Sequence, residues 1–281
     1  MDELSLLDIP WVDAQRLLEE AHGVVLMAIG ATEGHGHHCP LGTDALIADA
    51  VVKRAARKAR VPYAPSIPVG VSPQHLEGRP GTLTVREHVY VEFLRDLCRS
   101  LIHHGWTKLV VVNNHEGNTP AIWALMRRVK YETGALFVGV DLAGLMRTML
   151  DDIVENPPGE LPQWHASEVE TANILAIDSA MARMERAQME LPHTPQAVAD
   201  SPKFVQDSGF SKTIKFAGYS VLLPQENADY SHTGTVGNPL RATAEKGGRI
   251  LERFSDYVAD LACELKKVQV QVRAREFVDR M

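Results

Sequence analysis

The chain has 281 residues, of which 45% are hydrophobic and 23% are charged, and its formal net charge is −7. This composition is typical of a globular protein, and we expect one domain that spans residues 1–281. Acidic and basic residues are interspersed without a block of basic residues that would neutralise phosphates, so neither nucleic acid nor an anionic membrane is expected as a partner.

The N-terminal residues, the apolar runs and the cysteines predict a cytoplasmic protein. Residues 1–5 are acidic and do not have the pattern of a signal peptide. Apolar runs such as residues 23–29 are much shorter than the roughly 20 residues that span a bilayer. The three cysteines Cys39, Cys98 and Cys263 are scattered and provide no disulfide framework, which fits a reducing compartment.

Short apolar runs alternate with helical patterns along most of the chain. Strands are predicted at residues 23–29, 61–69, 108–113 and 135–140, and helices at residues 44–58, 86–104, 119–131, 142–153 and 239–268. Prolines in 61–69 would confine that strand to a sheet edge. Residues 156–163 and 191–211 are predicted to be loops over an active-site mouth or an oligomer contact. The alternation predicts an α/β fold with a mainly parallel central sheet flanked by helices.

Carboxylates and imidazoles follow three of these segments. The residues concerned are Glu33, His35, His37, His38 and Asp44 after the first strand, His115 and Glu116 after 108–113, and His165, Glu168 and Glu170 after the proline-rich loop. Sites in parallel sheets lie at the carboxyl ends of the strands, so these side chains could converge. Each one alone could be a cap or a turn residue. Three imidazoles crowded into one loop nevertheless favour a metal site.

The ligand types indicate which metals such a site would bind. Carboxylates and imidazoles without thiolates suit zinc, manganese or ferrous iron in a catalytic centre. The cluster holds more ligands than one ion needs, and a carboxylate can bridge two ions, so two divalent ions are predicted. Paired ions activate a water and polarise a carbonyl, while His165 and nearby carboxylates could carry protons. A nucleophilic Cys39 is less consistent with the apolar residues after it.

The same segments resemble the motifs of the creatininase family of amidohydrolases. The family motif Glu-x-His-Gly-Pro-His-Leu-Pro-Leu-Gly-Thr-Asp corresponds to residues 33–44, Val-Asn-Gly-His-Gly-Gly-Asn to residues 112–118, and His-Ala-Gly-x-x-Glu-Thr to residues 165–171. Further segments that resemble the family occur at 79–82, 234–239 and 244–247. The resemblance extends in order over residues 20 to 250 and implies a creatininase-like fold.

The resemblance also implies roles for individual residues. The family's metal ligands match Glu33, His35, Asp44 and His115, with Asp44 in the bridging position, and its catalytic histidine matches His165. Creatininase itself has a further metal-binding Glu two residues after the second-motif His, where this chain has Gly117. We take Glu170 as the fifth ligand, with Glu168 and Glu116 as rivals. Glu168 and Glu170 are two residues apart on a predicted helix and cannot both face the metals.

Departures from the motifs bear on the substrate. His37, Cys39, Asn114 and Glu116 replace Pro, Leu, Gly and Gly, which argues against creatinine. Glu116 stands where creatininase has an aromatic residue that contacts substrate. Together with His75 and Trp164, it is predicted to bind substrate.

The leading hypothesis is a dinuclear metal-dependent hydrolase that cleaves a C–N bond through a metal-activated water. Its substrate would be a small amide, cyclic amide or formamide. An alternative is the ring opening of a cyclic keto-polyol or lactone, because a polar rim of Gln74, His75, Arg79 and Glu116 suits hydroxyl groups. A non-catalytic metal-binding scaffold is a third hypothesis. The resemblance further implies a homo-oligomer, as a ring of six.

Overall fold

A parallel three-stranded sheet forms the centre of the computed structural model, which describes residues 2–206 and 213–277. Its strands are β1 (Val24–Ile29), β2 (Lys108–Asn113) and β3 (Leu136–Asp141), in that order. Every residue of β1 and β2 is buried, as expected for strands covered on both faces. The predicted α/β fold with a parallel central sheet is confirmed.

Helices cover this sheet. In the described ranges they are α1 (Trp11–Glu20), α2 (Thr43–Ala59), α3 (Glu87–His104), α4 (Thr119–Thr133), α5 (Leu142–Met149), α6 (Glu168–Asp178), α7 (Gln196–Ala199), α8 (Asn227–Tyr230) and α9 (Ala244–Lys267). Helices α2, α6 and α9 pack on one another, and α3 packs on α4. At Gly247 on α9, a Cβ atom would lie 1.8 Å from the carbonyl oxygen of Ala172 on α6. This glycine therefore permits the close approach of the two helices.

The predicted strand at 61–69 is only partly formed. Tyr63 pairs with Leu26 and Ile67 pairs with Ile29, each as an isolated parallel bridge beside β1. The prolines in this segment have no N–H to donate, so continuous pairing cannot form and the segment stays at the edge.

Two helix boundaries differ from the prediction. Helix α5 ends at Met149 rather than at residue 153, because carboxylates are unfavourable at a helix C-terminus. One of the carboxylates that follow, Asp152, pairs instead with Arg249 and Arg253 of α9. Helix α9 begins at Ala244 rather than at residue 239, since the side chain of Thr243 caps it by accepting a hydrogen bond from the Lys246 N–H at 3.1 Å.

A second, antiparallel sheet was not predicted. It consists of β4 (Phe204–Gln206), β5 (Thr213–Phe216) and β6 (Tyr219–Leu222). The prediction of a loop over 191–211 is wrong where α7 and β4 form, and its residues 207–211 lie outside the described residues. No helix within the described ranges is long and apolar enough to cross a membrane.

Candidate metal centre and active site

The carboxyl ends of β1 and β2 face a cavity of about 740 Å³, including its open mouth. Its wall includes most of the residues predicted to form the site: Glu33, Asp44, His75, His115, Glu116, Trp164, His165 and Glu170. The cavity therefore lies where a parallel sheet places its ligands.

A glycine brings the first two carboxylates together. Gly30 follows β1, and a Cβ atom there would lie 2.4 Å from the backbone nitrogen of Ala45. Only glycine lets the end of β1 approach the N-terminus of α2 so closely. Glu33 lies three residues beyond Gly30, and Asp44 occupies the first turn of α2, where a carboxylate is favourable.

Four of the predicted ligands surround Asp44. Its Oδ1 lies 3.3 Å from His35 Nε2, and its Oδ2 lies 3.2 Å from His115 Nδ1. Glu33 Oε1 is 3.4 Å from the same His115 nitrogen. Glu170 Oε2 is 3.8 Å from His35 Nε2. All five residues are buried.

These residues form overlapping sets of metal-ligating atoms. The three sets in which all ligand atoms lie within 4.8 Å of one another are Glu33–Asp44–His115, His35–Asp44–Glu170 and Glu33–His35–His165. The first two sets share Asp44. A carboxylate common to two sets of ligands is what a pair of ions requires.

The three imidazoles are each oriented by a backbone carbonyl. In every case one ring nitrogen donates to that carbonyl and the other nitrogen faces the carboxylates. The pairs are His35 Nδ1 with Glu33 O at 3.1 Å, His115 Nε2 with Val71 O at 3.0 Å, and His165 Nε2 with Gly34 O at 2.9 Å. Metal-binding histidines are typically held in this way, because the outer hydrogen bond fixes the tautomer.

Several buried atoms of the cluster have unsatisfied hydrogen-bonding capacity. Among the described residues, Glu33 Oε2, Asp44 Oδ2 and His35 Nε2 have no hydrogen-bond partner. Buried polar atoms without partners are costly and uncommon. All three atoms are lone-pair donors, so divalent cations would satisfy them. The residues present therefore fit the metals that their chemistry predicts.

The electrostatics of the cluster favour positive charge. Burial alone would lower the pKa of His35, but the carboxylates of Asp44, Glu170 and Glu33 outweigh it and raise that pKa to about 10. Burial is likewise outweighed at His115, whose pKa is raised well above its usual value mainly by Glu33 and Asp44. Burial raises the pKa of Glu170 to about 7. A site that holds protons this strongly would also attract a cation.

His165 has the opposite character. Burial, followed by the charges of His35 and His75, lowers its pKa well below the usual value. Its ring lies 4.7 Å from that of His75, whose pKa burial lowers to about 4. His165 Nδ1 is 4.0 Å from Glu33 Oε1. A neutral His165 with its Nε2–H held by Gly34 can therefore accept a proton at Nδ1.

Glu168 and Glu170 face different parts of the protein. Glu168 Oε1 lies 2.6 Å from Lys246 Nζ on α9, so this carboxylate is committed to an ion pair. Glu170 Oε2 accepts a hydrogen bond from the N–H of Ala166 at 2.6 Å and points into the cluster. Glu116 lines the cavity but belongs to none of the ligand sets found in the described residues. Of the three candidates for the fifth ligand, Glu170 is the one that lies next to the other predicted ligands.

The cavity wall also contains residues that the sequence did not single out. Trp164 packs edge-on against Tyr230, with ring centroids 6.4 Å apart. Arg147 on α5 also lines the wall. Helix α5 directly follows β3, so the rule that sites lie at the carboxyl ends of strands could have found it. Tyr230 ends α8, which is distant in sequence from these strands and carries no such signal.

Other residues singled out in the sequence have roles outside the cavity. Arg79 is not part of its wall; it donates hydrogen bonds to Asn227 Oδ1 and to the carbonyl of Ser231. His37 is exposed. His38 is buried and forms a 2.9 Å hydrogen bond with Thr171 Oγ1. Burial raises the pKa of the Cys39 thiol to about 12, which argues against a nucleophilic thiolate.

Gly117 is enclosed by the loop that carries His115. A Cβ atom at this position would lie 2.4 Å from His115 Nε2 and 2.4 Å from the carbonyl oxygen of Val71. These two atoms form the hydrogen bond that orients His115. The loop is therefore closed around the glycine, and a larger side chain at position 117 would displace this hydrogen bond.

The α/β fold, with carboxylates and imidazoles converging at the ends of its strands, defines a metal-dependent hydrolase. The family model named Creatininase, for creatinine amidohydrolase, matches residues 8–262. The chain belongs to the creatininase family.

Known proteins of several activities are similar to the chain. A 3-dehydro-scyllo-inosose hydrolase of Thermotoga maritima is 26% identical over 251 residues, which cover 86% of this chain and 77% of that protein. A mycofactocin precursor peptide peptidase of Mycolicibacterium smegmatis is 29% identical over 269 residues, which cover 90% of this chain and 89% of that protein. A manganese creatininase structure superposes with a TM-score of 0.75 at 22% identity, covering 95% of this chain and all of that one, and supports the fold.

Proposed function

We propose that the chain is a dinuclear metal-dependent hydrolase that cleaves a C–N bond in a small amide, cyclic amide or formamide. One ion would be held by Glu33, Asp44 and His115, and the other by His35, Asp44 and Glu170. The observation that carries this proposal is the position of Asp44, whose two oxygens face His35 and His115 respectively. Zinc, manganese and ferrous iron all suit these ligands.

The chemistry follows from the residues around the cluster. Divalent ions held there would lower the pKa of a water and polarise the substrate carbonyl. His165, neutral and fixed by Gly34, accepts the proton of that water at Nδ1 and transfers it to the leaving nitrogen. The water oxygen bonds to the carbonyl carbon, the C–N bond breaks, and the nitrogen leaves protonated.

The cavity wall suits a polar substrate with a flat face. Trp164 offers an aromatic surface, while Glu116 and His75 offer hydrogen-bonding groups. We propose these three as substrate-binding residues. The similarity to a peptidase is compatible with the same chemistry, since a peptide bond is also a C–N bond.

A second candidate function is the hydrolytic ring opening of a cyclic keto-polyol. Amide and carboxylate groups of Gln74, Asn114 and Glu116 line the cavity and would bind hydroxyl groups. The similarity to an inosose hydrolase favours this candidate too. A non-catalytic scaffold is the weakest hypothesis, because the chain belongs to a family of hydrolases and keeps a complete cluster.

Metal analysis and a substrate panel test the proposal together. We expect two divalent ions per chain, loss of activity in chelator, and recovery with zinc, manganese or iron(II). Thermal protection by cyclic amides, formamides, short peptides and keto-inositols would identify the substrate class, because binding to the native state raises the melting temperature. Full activity in a protein freed of metal would refute the proposal.

We also propose a cytoplasmic homo-oligomer, with the ring of six that the family resemblance implies. Large apolar side chains such as Trp11, Trp123 and Tyr219 are 76%, 60% and 80% exposed, which suits contacts between subunits. The unpaired cysteines agree with a reducing compartment. Light scattering on the purified chain and cell fractionation test these two points.

A further inference from the structure

A second group of metal-ligating side chains lies outside the Asp44 cluster. It consists of Glu190, His193 and His232, here called the rim cluster, whose ligand atoms lie within 4.8 Å of one another. The imidazoles of His193 and His232 are stacked, with ring centroids 4.7 Å apart and an angle of 20° between their planes. We propose that the rim cluster binds one divalent transition-metal ion, in addition to those at the Asp44 cluster.

The backbone holds the ligands of the rim cluster in place. Glu190 pairs with Gly237 through two hydrogen bonds of 3.1 and 2.7 Å between their backbone groups. The N–H of His193 donates to the carbonyl of Tyr230 at 3.1 Å. The two segments that supply the ligands are therefore fixed against each other before an ion binds. Ligands on a fixed backbone lose little freedom on binding, which favours affinity.

The carboxylate of Glu190 is oriented and ionised. Its Oε1 accepts the N–H of His232 at 2.6 Å, and its Oε2 accepts the N–H of Thr233 and the Ser231 hydroxyl, both at 2.9 Å. Burial opposes ionisation, but a hydrogen bond from the Thr233 hydroxyl to Oε2, together with the three named above, outweighs it and lowers the pKa of Glu190. Within the described part of the chain, Oε1 accepts one hydrogen bond, so it keeps a lone pair that can bind a metal.

The ligand set determines the class of ion. Two imidazoles and one carboxylate, with remaining positions open to solvent, suit Zn²⁺ and the neighbouring divalent ions Co²⁺ and Ni²⁺. Calcium and magnesium prefer oxygen ligands. His232 is exposed, so an ion can reach the site from solvent.

The rim cluster is connected to the active-site cavity. Tyr230, the last residue of α8, and Val236, in the loop that carries His232, both line that cavity. An ion at the rim cluster would join residues 190–193 to this loop and so brace one wall of the cavity. The proposal stands independently of the reaction that the cavity supports, because none of its ligands belongs to the Asp44 cluster.

Equilibrium dialysis of the full chain against Zn²⁺ tests the rim cluster. The variant His193→Gln/His232→Gln is expected to bind one zinc ion fewer per chain than the unmodified protein. Each single variant should weaken that ion at least about tenfold, since even outer-shell partners of metal ligands contribute 10- to 100-fold. His88→Gln is the matched control, because His88 is an exposed histidine on α3, and it should bind zinc as the unmodified chain does.

Two further measurements separate this site from the Asp44 cluster and from misfolding. The variant Glu33→Gln/His35→Gln should keep the zinc ion of the rim cluster. In chelator, His232→Gln should melt at the same temperature as the unmodified protein. The reason is that, in the described structure, the ring of His232 makes only a stacking contact. The rise in melting temperature that zinc causes should shrink in this variant. Equal zinc content in His193→Gln/His232→Gln and in the unmodified protein would overturn the proposal.

Discussion

Oδ2 of Asp44 lies 3.2 Å from Nδ1 of His115, and both side chains are almost inaccessible to solvent. The other oxygen of the same carboxylate faces His35 at 3.3 Å. Asp44 is thus the one residue shared by the two proposed ion-binding sets. Removing it should have a different effect from removing any ligand that belongs to one set.

We expect Asp44→Asn to lose both ions, because a neutral amide neither bridges two cations nor offsets their charge. His115→Ala should lose the ion held with Glu33 and keep the other. Activity in Asp44→Asn should fall more than about 100-fold, above the effect of losing an outer-shell partner. Elemental analysis of the purified variants measures the ion counts, and two ions in Asp44→Asn would contradict a bridging role.

Glu168 and Glu170 offer a matched pair of carboxylates on one helix. Glu170→Gln should lose metal, since its carboxylate faces His35. Glu168→Gln should keep both ions. Its free energy of unfolding should fall by about 2 kcal/mol, the scale of a hydrogen bond to a charged group, because the substitution leaves Lys246 with a weaker partner. Metal analysis and urea denaturation check the two outcomes, and the reverse pattern would make Glu168 the ligand.

His165→Gln should retain both ions and lower kcat by about 10²- to 10⁴-fold, the usual contribution of general acid–base catalysis. Since burial holds the pKa of His165 well below its usual value, the group stays neutral through mildly acidic conditions. The acid limb of the kcat profile should therefore lie below pH 6.5 and disappear in the variant. A variant that loses metal together with activity would show His165 to be a ligand.

His75 should make the protein less stable in acid. Burial lowers its pKa from 6.5 to about 4, so between these values the unfolded chain binds a proton that the folded chain does not. Stability attributable to His75 is therefore present above pH 6.5 and is lost as the pH falls toward 4, by about 3 kcal/mol at 1.36 kcal/mol per unit. Denaturation of the unmodified chain and His75→Gln in chelator, at pH 7 and pH 4.5, measures the difference. A difference in unfolding free energy between the two proteins that is the same at both pH values would contradict this prediction.

The sequence predicts the central sheet and the convergence of the candidate ligands because both depend on local signals. β1 and β2 are continuous apolar runs, and Glu33, Asp44 and His115 follow them at the end where parallel strands place a site. The antiparallel sheet from Phe204 to Leu222 was missed because its strands are three or four residues long and largely exposed, so they show no apolar periodicity. Tyr230 was missed because only tertiary folding brings α8 to Trp164.

Adjacent glycines on α9 should respond in opposite directions to alanine. Gly247→Ala should destabilise the fold by about 3 kcal/mol, because its Cβ would meet the backbone of Ala172. Gly248→Ala should stabilise it by about 0.5–1 kcal/mol, because a Cβ there meets nothing within 4 Å and alanine is the better helix former. Denaturant unfolding of the two variants gives both values, and equal effects would show that α6 and α9 do not approach as closely as the structure has them.

The closed loop around Gly117 limits how activities can be exchanged between relatives. A glutamate placed there would need the space in which His115 donates to Val71, so it would displace the orientation of one ligand while adding another. A carboxylate at position 117 therefore requires a rebuilt backbone between Val71 and Gly117 as well as a new side chain. Such a change would act through the geometry of this loop and would leave the carboxylate of Asp44 unchanged.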